Sequence, residues 1–160
     1  TMGNGHDTLF LCELAGKEGQ VLAFDIQKQA LESTRALLKS EGMEQKARLI
    51  LDSHENMAKY ADEASVDGIC FNFGYLPGSD HSLATKPESS KNAVIEGLRL
   101  LKKGGVMSLC IYSGGETGFE ERDILLAYLK SLDEKKYLVI VSAYYNRKNN
   151  PPIPVLIIKK

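Results

Sequence analysis

Asn72 and Tyr75 place an amide and a phenol three positions apart, in the stretch Val66 to Gly78 (V-D-G-I-C-F-N-F-G-Y-L-P-G), where an apolar run gives way to turn-forming residues. An amide oxygen that accepts an amine's hydrogens can aim the nitrogen lone pair, and an aromatic ring can cover the flat group that carries it; together they could position a nitrogen nucleophile. Asp80 and His81 follow closely and could relay a proton. A second constellation opens the chain: Gly3, Asn4, Gly5 and Asp7 in T-M-G-N-G-H-D, with Asp25 lying 20 residues after Gly5. A Gly-x-Gly turn brings backbone close to a ligand, and an acid at that offset is where Rossmann-like folds hold ribose hydroxyls.

The elements that must carry these residues alternate between strand and helix. Gln20 to Ile26 reads as a buried strand ending at Asp25, Ala47 to Leu51 as another followed by Asp52-Ser53-His54, and Asp67 to Phe73 as a third, buried on both faces. Thr8 to Gly16, Gln27 to Ser40 (stopped by Gly42) and Glu55 to Ala64 are predicted helices between them. Beyond the Asn72 region, a helix entering at Thr85 and Pro87 is expected to run to Gly104-Gly105, then a strand Val106 to Tyr112, a glycine-rich loop Ser113 to Gly118 and a helix Phe119 to Leu132. Tyr137 to Tyr145 and Val155 to Ile158 are joined by a connection too short for a crossover helix, so they should form an antiparallel hairpin. The prediction is a doubly wound α/β sheet, mostly parallel with a reversed C-terminal hairpin, forming a single domain over residues 1–160. Its ligand crevice would lie at the carboxyl ends of the strands, where Asn72, Asp25 and Ser53-His54 all fall. A glycine turn of this kind should leave a strand, and only two residues precede Gly3, so a first strand is expected upstream of this sequence.

Composition narrows the classes. The 160 residues are 43% hydrophobic and 26% charged with net charge -1, which fits a globular domain and leaves nucleic-acid binding to local patches. Lys135 to Lys160 holds basic residues, among them Arg147 and Lys148 beside Asn149, and no acidic one, which reads either as a run of solvated lysines or as a local basic edge. Cys12, Cys70 and Cys110 are scattered among apolar neighbours and read as reduced core thiols of a cytoplasmic protein. Their spacing, and that of three isolated histidines, suggests no metal site, and no apolar run is long enough to span a bilayer.

The glycine loop departs from a dinucleotide fingerprint, because Thr8 stands at the third glycine position and Asp7 sits where the helix begins. A carboxylate there repels a pyrophosphate and competes for the helix's free N–H groups. S-adenosylmethionine, which has no phosphate and carries a positive sulfonium, suits the loop better: Gly3 and Gly5 under its methionine portion, Asp25 at the ribose hydroxyls and Asp52, Ser53 and His54 at the adenine, with Asn4, Asp7 and Gln27 also counted as cofactor-binding. Structural alternatives stand beside each assignment: a strand-end cap at Asp25, a plain turn at Gly3 and Gly5, a turn amide at Asn72, a core ring at Tyr75 and a helix start at His54.

With G-N-G-H-D-T, F-D-I-Q, D-S-H, F-N-F-G-Y-L-P-G and the closing N-x-x-N-N-P-P in place, the chain resembles over essentially its whole length a bacterial family labelled rRNA methylases. Its characterised members methylate the aminomethyl group of aminomethyl-thiouridine at the tRNA wobble position. Asn72 to Tyr75 also looks like a relaxed form of the Asn/Asp-Pro-Pro-Tyr/Phe box of nitrogen methyltransferases. The resemblance implies a Rossmann-like class I methyltransferase fold, S-adenosylmethionine as cofactor and the tRNA anticodon stem-loop as partner, and leaves a homodimer open. It implies Asn72 and Tyr75 as catalytic residues, with Asn72 also facing the cofactor, and Tyr75, Asp80, His81, Arg147, Lys148 and Asn149 as substrate-binding ones. Family members usually carry a histidine in the loop after Tyr112; Ser113-Gly114-Gly115-Glu116 has none, and no catalytic duty is assigned to it. Methylation of rRNA or a small amine, and a non-catalytic nucleotide- or RNA-binding module, are the competing functions.

Overall fold

The computed structural model describes residues 1–73, 87–113 and 118–160. The chain forms two compact units, Thr1–His54 and Glu55–Lys160. In the first, α1 (His6–Leu14) leads to β1 (Val21–Asp25), α2 (Lys28–Ser40) and β2 (Ala47–Leu51). The strands pair in parallel from Val21 opposite Ala47 to Asp25 opposite Leu51, so both run out at one edge. Of the stripe its periodicity predicts, Ala30, Leu31, Thr34, Leu37 and Leu38, the helix connecting them buries all but Leu37, which is partly buried. It closes at Gly42, which takes φ 68°: Gly42 N–H donates to Lys39 O at 3.3 Å and Met43 N–H to Leu38 O at 2.8 Å, a Schellman closure. The core consists of two clusters, Met2, Ala23, Ala30 and Leu31 at one end and Cys12, Val21 and Leu38 at the other, bridged by Leu49. Lys46 Nζ donates to Gly16 O and Lys17 O just past α1, where carbonyls lack helical partners.

The second unit holds β3 (Val66–Asn72), α3 (Pro87–Leu100), β4 (Leu101–Ile111), α4 (Gly118–Lys130), β5 (Tyr137–Val141) and β6 (Ile153–Lys159). Its sheet runs β3-β4-β6-β5. β3 and β4 are parallel, and β6 is antiparallel to both β4 and β5, so the last strand lies reversed between two earlier ones. Met107, Leu109 and Ile111 of β4, Val155 and Ile157 of β6 and Phe71 of β3 are buried, as are Ala93, Val94 and Leu98 of α3 and Leu125 and Leu129 of α4. Gly97 shows how closely α3 rides on the sheet, since a Cβ there would stand 2.6 Å from Met107 Cε and 3.2 Å from Ile69 Cδ1.

Several expectations change. β3 is not buried on both faces: Phe71 is buried while Gly68, Cys70 and Asn72, two apart on the other face, are exposed. Of the three thiols expected in the core, only Cys12 is buried; Cys70 is exposed and Cys110 intermediate. The helix expected to reach Gly104 stops at Leu100, because its last carbonyls find other donors. Ala64 N–H reaches Arg99 O, Ser65 N–H reaches Leu100 O, and Lys159 Nζ reaches Leu98 O and Leu101 O at 2.9 and 2.7 Å. Leu101 therefore begins β4, and Gly104 at φ 80° lies in the stretch between Leu101 and Val106 where the register against β3 shifts. The helix expected over Glu55 to Ala64 is a 3-10 helix, His54–Lys59, and β5 ends at Val141, four residues short of Tyr145.

Candidate functional site

In the first unit the glycine turn is held from three sides. Met2 N–H donates to Phe24 O at 2.9 Å, laying the start of the chain beside β1, and Gly5 N–H closes the turn on Met2 O at 2.9 Å. The Asp25 carboxylate, 5% exposed, accepts Gly3 N–H on Oδ2 at 3.2 Å and Gln27 N–H on Oδ1 at 3.0 Å. The fully buried Thr34 donates its hydroxyl to Gly3 O at 3.3 Å. Gly5 sits at φ +88°, and a Cβ there would lie 2.9 Å from Thr34 Cα and 2.9 Å from its Oγ1. Glycine is required on both counts, by dihedral and by space. Periodicity alone counts Thr34 as one more inward position of α2; its part in fixing the loop depends on a partner 31 residues away in sequence.

Gly3, Gly5, Asp25 and Gln27 are thus brought together. Asn4 is exposed at the turn, and Asp7 is exposed in the first turn of α1, which Gly5 precedes without a side-chain cap. Because Asp25 pairs with Leu51, Ser53 and His54 leave β2 at the edge where Asp25 stands. Ser53 N–H is turned onto Asp52 Oδ1 at 2.7 Å. His54 is buried, and burial pushes its imidazole down to about 4 from the usual 6.5, so it is neutral at pH 7.

In the second unit Asn72 closes β3 opposite Cys110, and its neighbours anchor it. Phe71 and Phe73 stack with ring centroids 4.9 Å apart on the buried face, and Phe73 N–H donates to Cys110 O at 3.3 Å. That alternation leaves Asn72 exposed. Tyr75, Asp80 and His81 lie outside the described residues, as do residues 114–117 of the glycine-rich loop. Ser90 of α3 donates to Glu121 Oε1 of α4, a buried pair that ties the first turns of the two helices and that sequence reading missed. Arg147, Lys148 and Asn149 are exposed in the β5–β6 connection, with Arg147 over the Tyr144 ring at 5.3 Å. Among the described residues no group of three His, Cys, Asp or Glu could hold a metal, and no helix is long and apolar enough to cross a membrane.

An α/β chain with its last strand reversed, a glycine turn before its first helix and an acid at the end of the next strand has the Rossmann-like methyltransferase fold. Residues 21–158 match the profile of the family described as "Putative rRNA methylase", and the chain belongs to that family. It is 44% identical to a solved structure described as a putative rRNA-methylase from Clostridium thermocellum, over 100% of this chain and 86% of that one, with TM-score 0.96. It is 38% identical to SMU.1697c, a putative methyltransferase from Streptococcus mutans solved in complex with SAH, over 100% and 85% of the chains, with TM-score 0.90. A tRNA (mnm(5)s(2)U34)-methyltransferase, chloroplastic, from Arabidopsis thaliana is 35% identical over 166 residues, 98% of this chain. This chain spans 60% of the length of that relative.

Proposed function

We propose that this protein is an S-adenosylmethionine-dependent methyltransferase that methylates the aminomethyl nitrogen of aminomethyl-thiouridine at the tRNA wobble position, working in the cytoplasm. The observation that carries the cofactor half is the Asp25 carboxylate, which accepts one bond on each oxygen, from Gly3 N–H of the glycine turn on Oδ2 and from Gln27 N–H after β1 on Oδ1. A carboxylate oxygen accepts more than one hydrogen bond, so acceptor capacity remains on both for a ribose diol. The side-chain-free Gly3 and Gly5 leave backbone accessible beside it, and Asp7 at the start of α1 selects against a phosphate-bearing ligand. Gly3, Asn4, Gly5, Asp7, Asp25, Gln27, Ser53 and His54 would hold the cofactor, and a neutral His54 suits an uncharged adenine. When bound, S-adenosylmethionine supplies an electrophilic methyl group.

The chain's own task is to present an unprotonated nitrogen at near-attack distance, ~3 Å. The exposed Asn72 amide accepts an amine hydrogen and turns the lone pair outward from the strand end, while Tyr75 covers the base. Asp80, His81 or solvent takes the proton an alkylamine carries near neutral pH. Arg147, Lys148 and Asn149 bind backbone phosphates of the anticodon loop, where the target base is already unpaired and needs no flipping from a duplex. The family description favours an RNA substrate over a small amine, and the name of the Arabidopsis relative supports tRNA.

Incubation of the purified protein with S-adenosylmethionine and tRNA that carries or lacks aminomethyl-thiouridine, followed by nucleoside mass spectrometry, tests the reading. A one-methyl gain confined to that nucleoside is expected. Methylation of rRNA or a free amine instead would replace the substrate, and failure to bind S-adenosylmethionine would leave a non-catalytic RNA-binding module.

A further inference from the structure

The β5–β6 connection carries an aromatic ring that the fold does not use. Tyr145 is fully exposed, more so than any other large apolar or aromatic side chain among the described residues, and stands just beyond the point where β5 leaves the sheet. Its neighbour Tyr144 is partly exposed and lies under the Arg147 guanidinium, which the Arg147 N–H to Tyr144 O turn at 3.4 Å brings into place. Lys148 follows, exposed. The basic residues between Lys135 and Lys160 are not equivalent: Lys159 is engaged by the carbonyls that end α3, and Lys160 Nζ by Glu134 O at 2.8 Å. Arg147 and Lys148 therefore bring the cationic charge of this connection to where the bare ring stands, with no acidic residue from Lys135 onward to offset it. Exposing a tyrosine ring to water forgoes the burial that aromatic side chains ordinarily gain, so such a ring fits a flat apolar partner bound from solution.

We propose that Tyr145 is a stacking platform for an unpaired base of the RNA substrate, with Arg147, steadied by the Tyr144 ring, and Lys148 on the flanking phosphates. The proposal rests on the tRNA reading above and adds a requirement to it, that the connection recognises single-stranded rather than paired RNA. A π-face beside cations is how sequence-tolerant single-strand binding is built. In a duplex the base faces are already stacked on one another, and only phosphates would remain for Arg147 and Lys148.

The chain contains no tryptophan, so Tyr145→Trp creates a single fluorescent reporter at the proposed platform. Titration with an anticodon stem-loop RNA should quench its emission, with the midpoint that anisotropy of labelled RNA gives. Tyr145→Ala should weaken that binding by about tenfold or more while Tyr145→Phe stays near the parent. Arg147→Ala with Lys148→Ala should instead flatten the salt dependence, by about 0.7 in slope for each phosphate no longer neutralised. RNA bound without quenching, with Tyr145→Ala at parental affinity, overturns the platform and leaves the tRNA reading intact. Equal loss of affinity for stem-loop and fully paired RNA in Tyr145→Ala also overturns it. S-adenosylmethionine binding without any binding of the stem-loop overturns the tRNA reading itself.

Discussion

Substituting Gly5 by alanine isolates the close approach on which the cofactor loop depends. Gly5 and Gly16 both have positive φ, +88° and +67°, and both flank α1, but a Cβ at Gly16 meets nothing within 4 Å whereas one at Gly5 meets Thr34 Cα and Oγ1 at 2.9 Å. Gly16→Ala should therefore cost only the left-handed penalty, ~1–2 kcal/mol. Gly5→Ala adds an overlap of the overpacking kind, a further ~1–3 kcal/mol, for a total of about 2–5 kcal/mol. The gain from a less flexible unfolded chain is common to both and cancels in the comparison. Urea denaturation gives the two stabilities, and calorimetry with S-adenosylmethionine should show weakened binding for Gly5→Ala alone. Adding Thr34→Ala should not restore the parent, because the backbone of residue 34 still stands in the way of the new methyl group and the hydroxyl bond to Gly3 O is gone. Equal destabilisation by Gly5→Ala and Gly16→Ala, with cofactor affinity kept in both, would refute the argument.

Asn72→Ala should lower turnover on aminomethyl-bearing tRNA by on the order of a hundredfold with S-adenosylmethionine affinity retained; loss of both together in calorimetry and single-turnover assays would make the residue structural. Lys159→Met removes the ammonium from the carbonyls of Leu98 and Leu101 and should destabilise by ~1–3 kcal/mol in urea melts without altering cofactor affinity. His54 has a folded-state pKa near 4, below its unfolded 6.5, so the fold favours its neutral form. Its contribution is complete above pH 6.5 and is lost as pH falls toward 4, up to about 3 kcal/mol. His54→Gln should flatten stability against pH in that window, and an unchanged profile would argue against burial of the neutral ring.

Where local chemistry decides structure, the sequence was readable. Ala47 to Leu51 forms a strand with the expected bounds, Gly42 ends α2 through its left-handed closure, and Asp25 stands at the end of β1 beside the glycine turn. What escaped depends on partners distant in the chain. Leu101 continues the apolar spacing of α3, yet it belongs to β4 because Lys159 and the 64–65 backbone claim the last carbonyls of the helix. Cys70 and Asn72 sit in an apolar run that looks buried throughout, while the strand's alternation puts both on its exposed face. Thr34 resembles any other inward residue of α2 until Gly5 is found against it. The Tyr75, Asp80 and His81 assignments fall outside the described residues.

The reversed position of β6 sets an order of events during synthesis. β5 bonds to β6 alone among the described strands, and β6 also supplies the second neighbour of β4, yet it leaves the ribosome after both. Until Ile153 to Lys159 emerge, the nascent polypeptide carries an open β4 edge and an apolar β5 with nothing to zip against, the kind of surface that invites aggregation. Insertion of β6 closes both at once and delivers Lys159 to the end of α3 in the same motion. β6 is thus the keystone of this unit, although both of its partners are made before it.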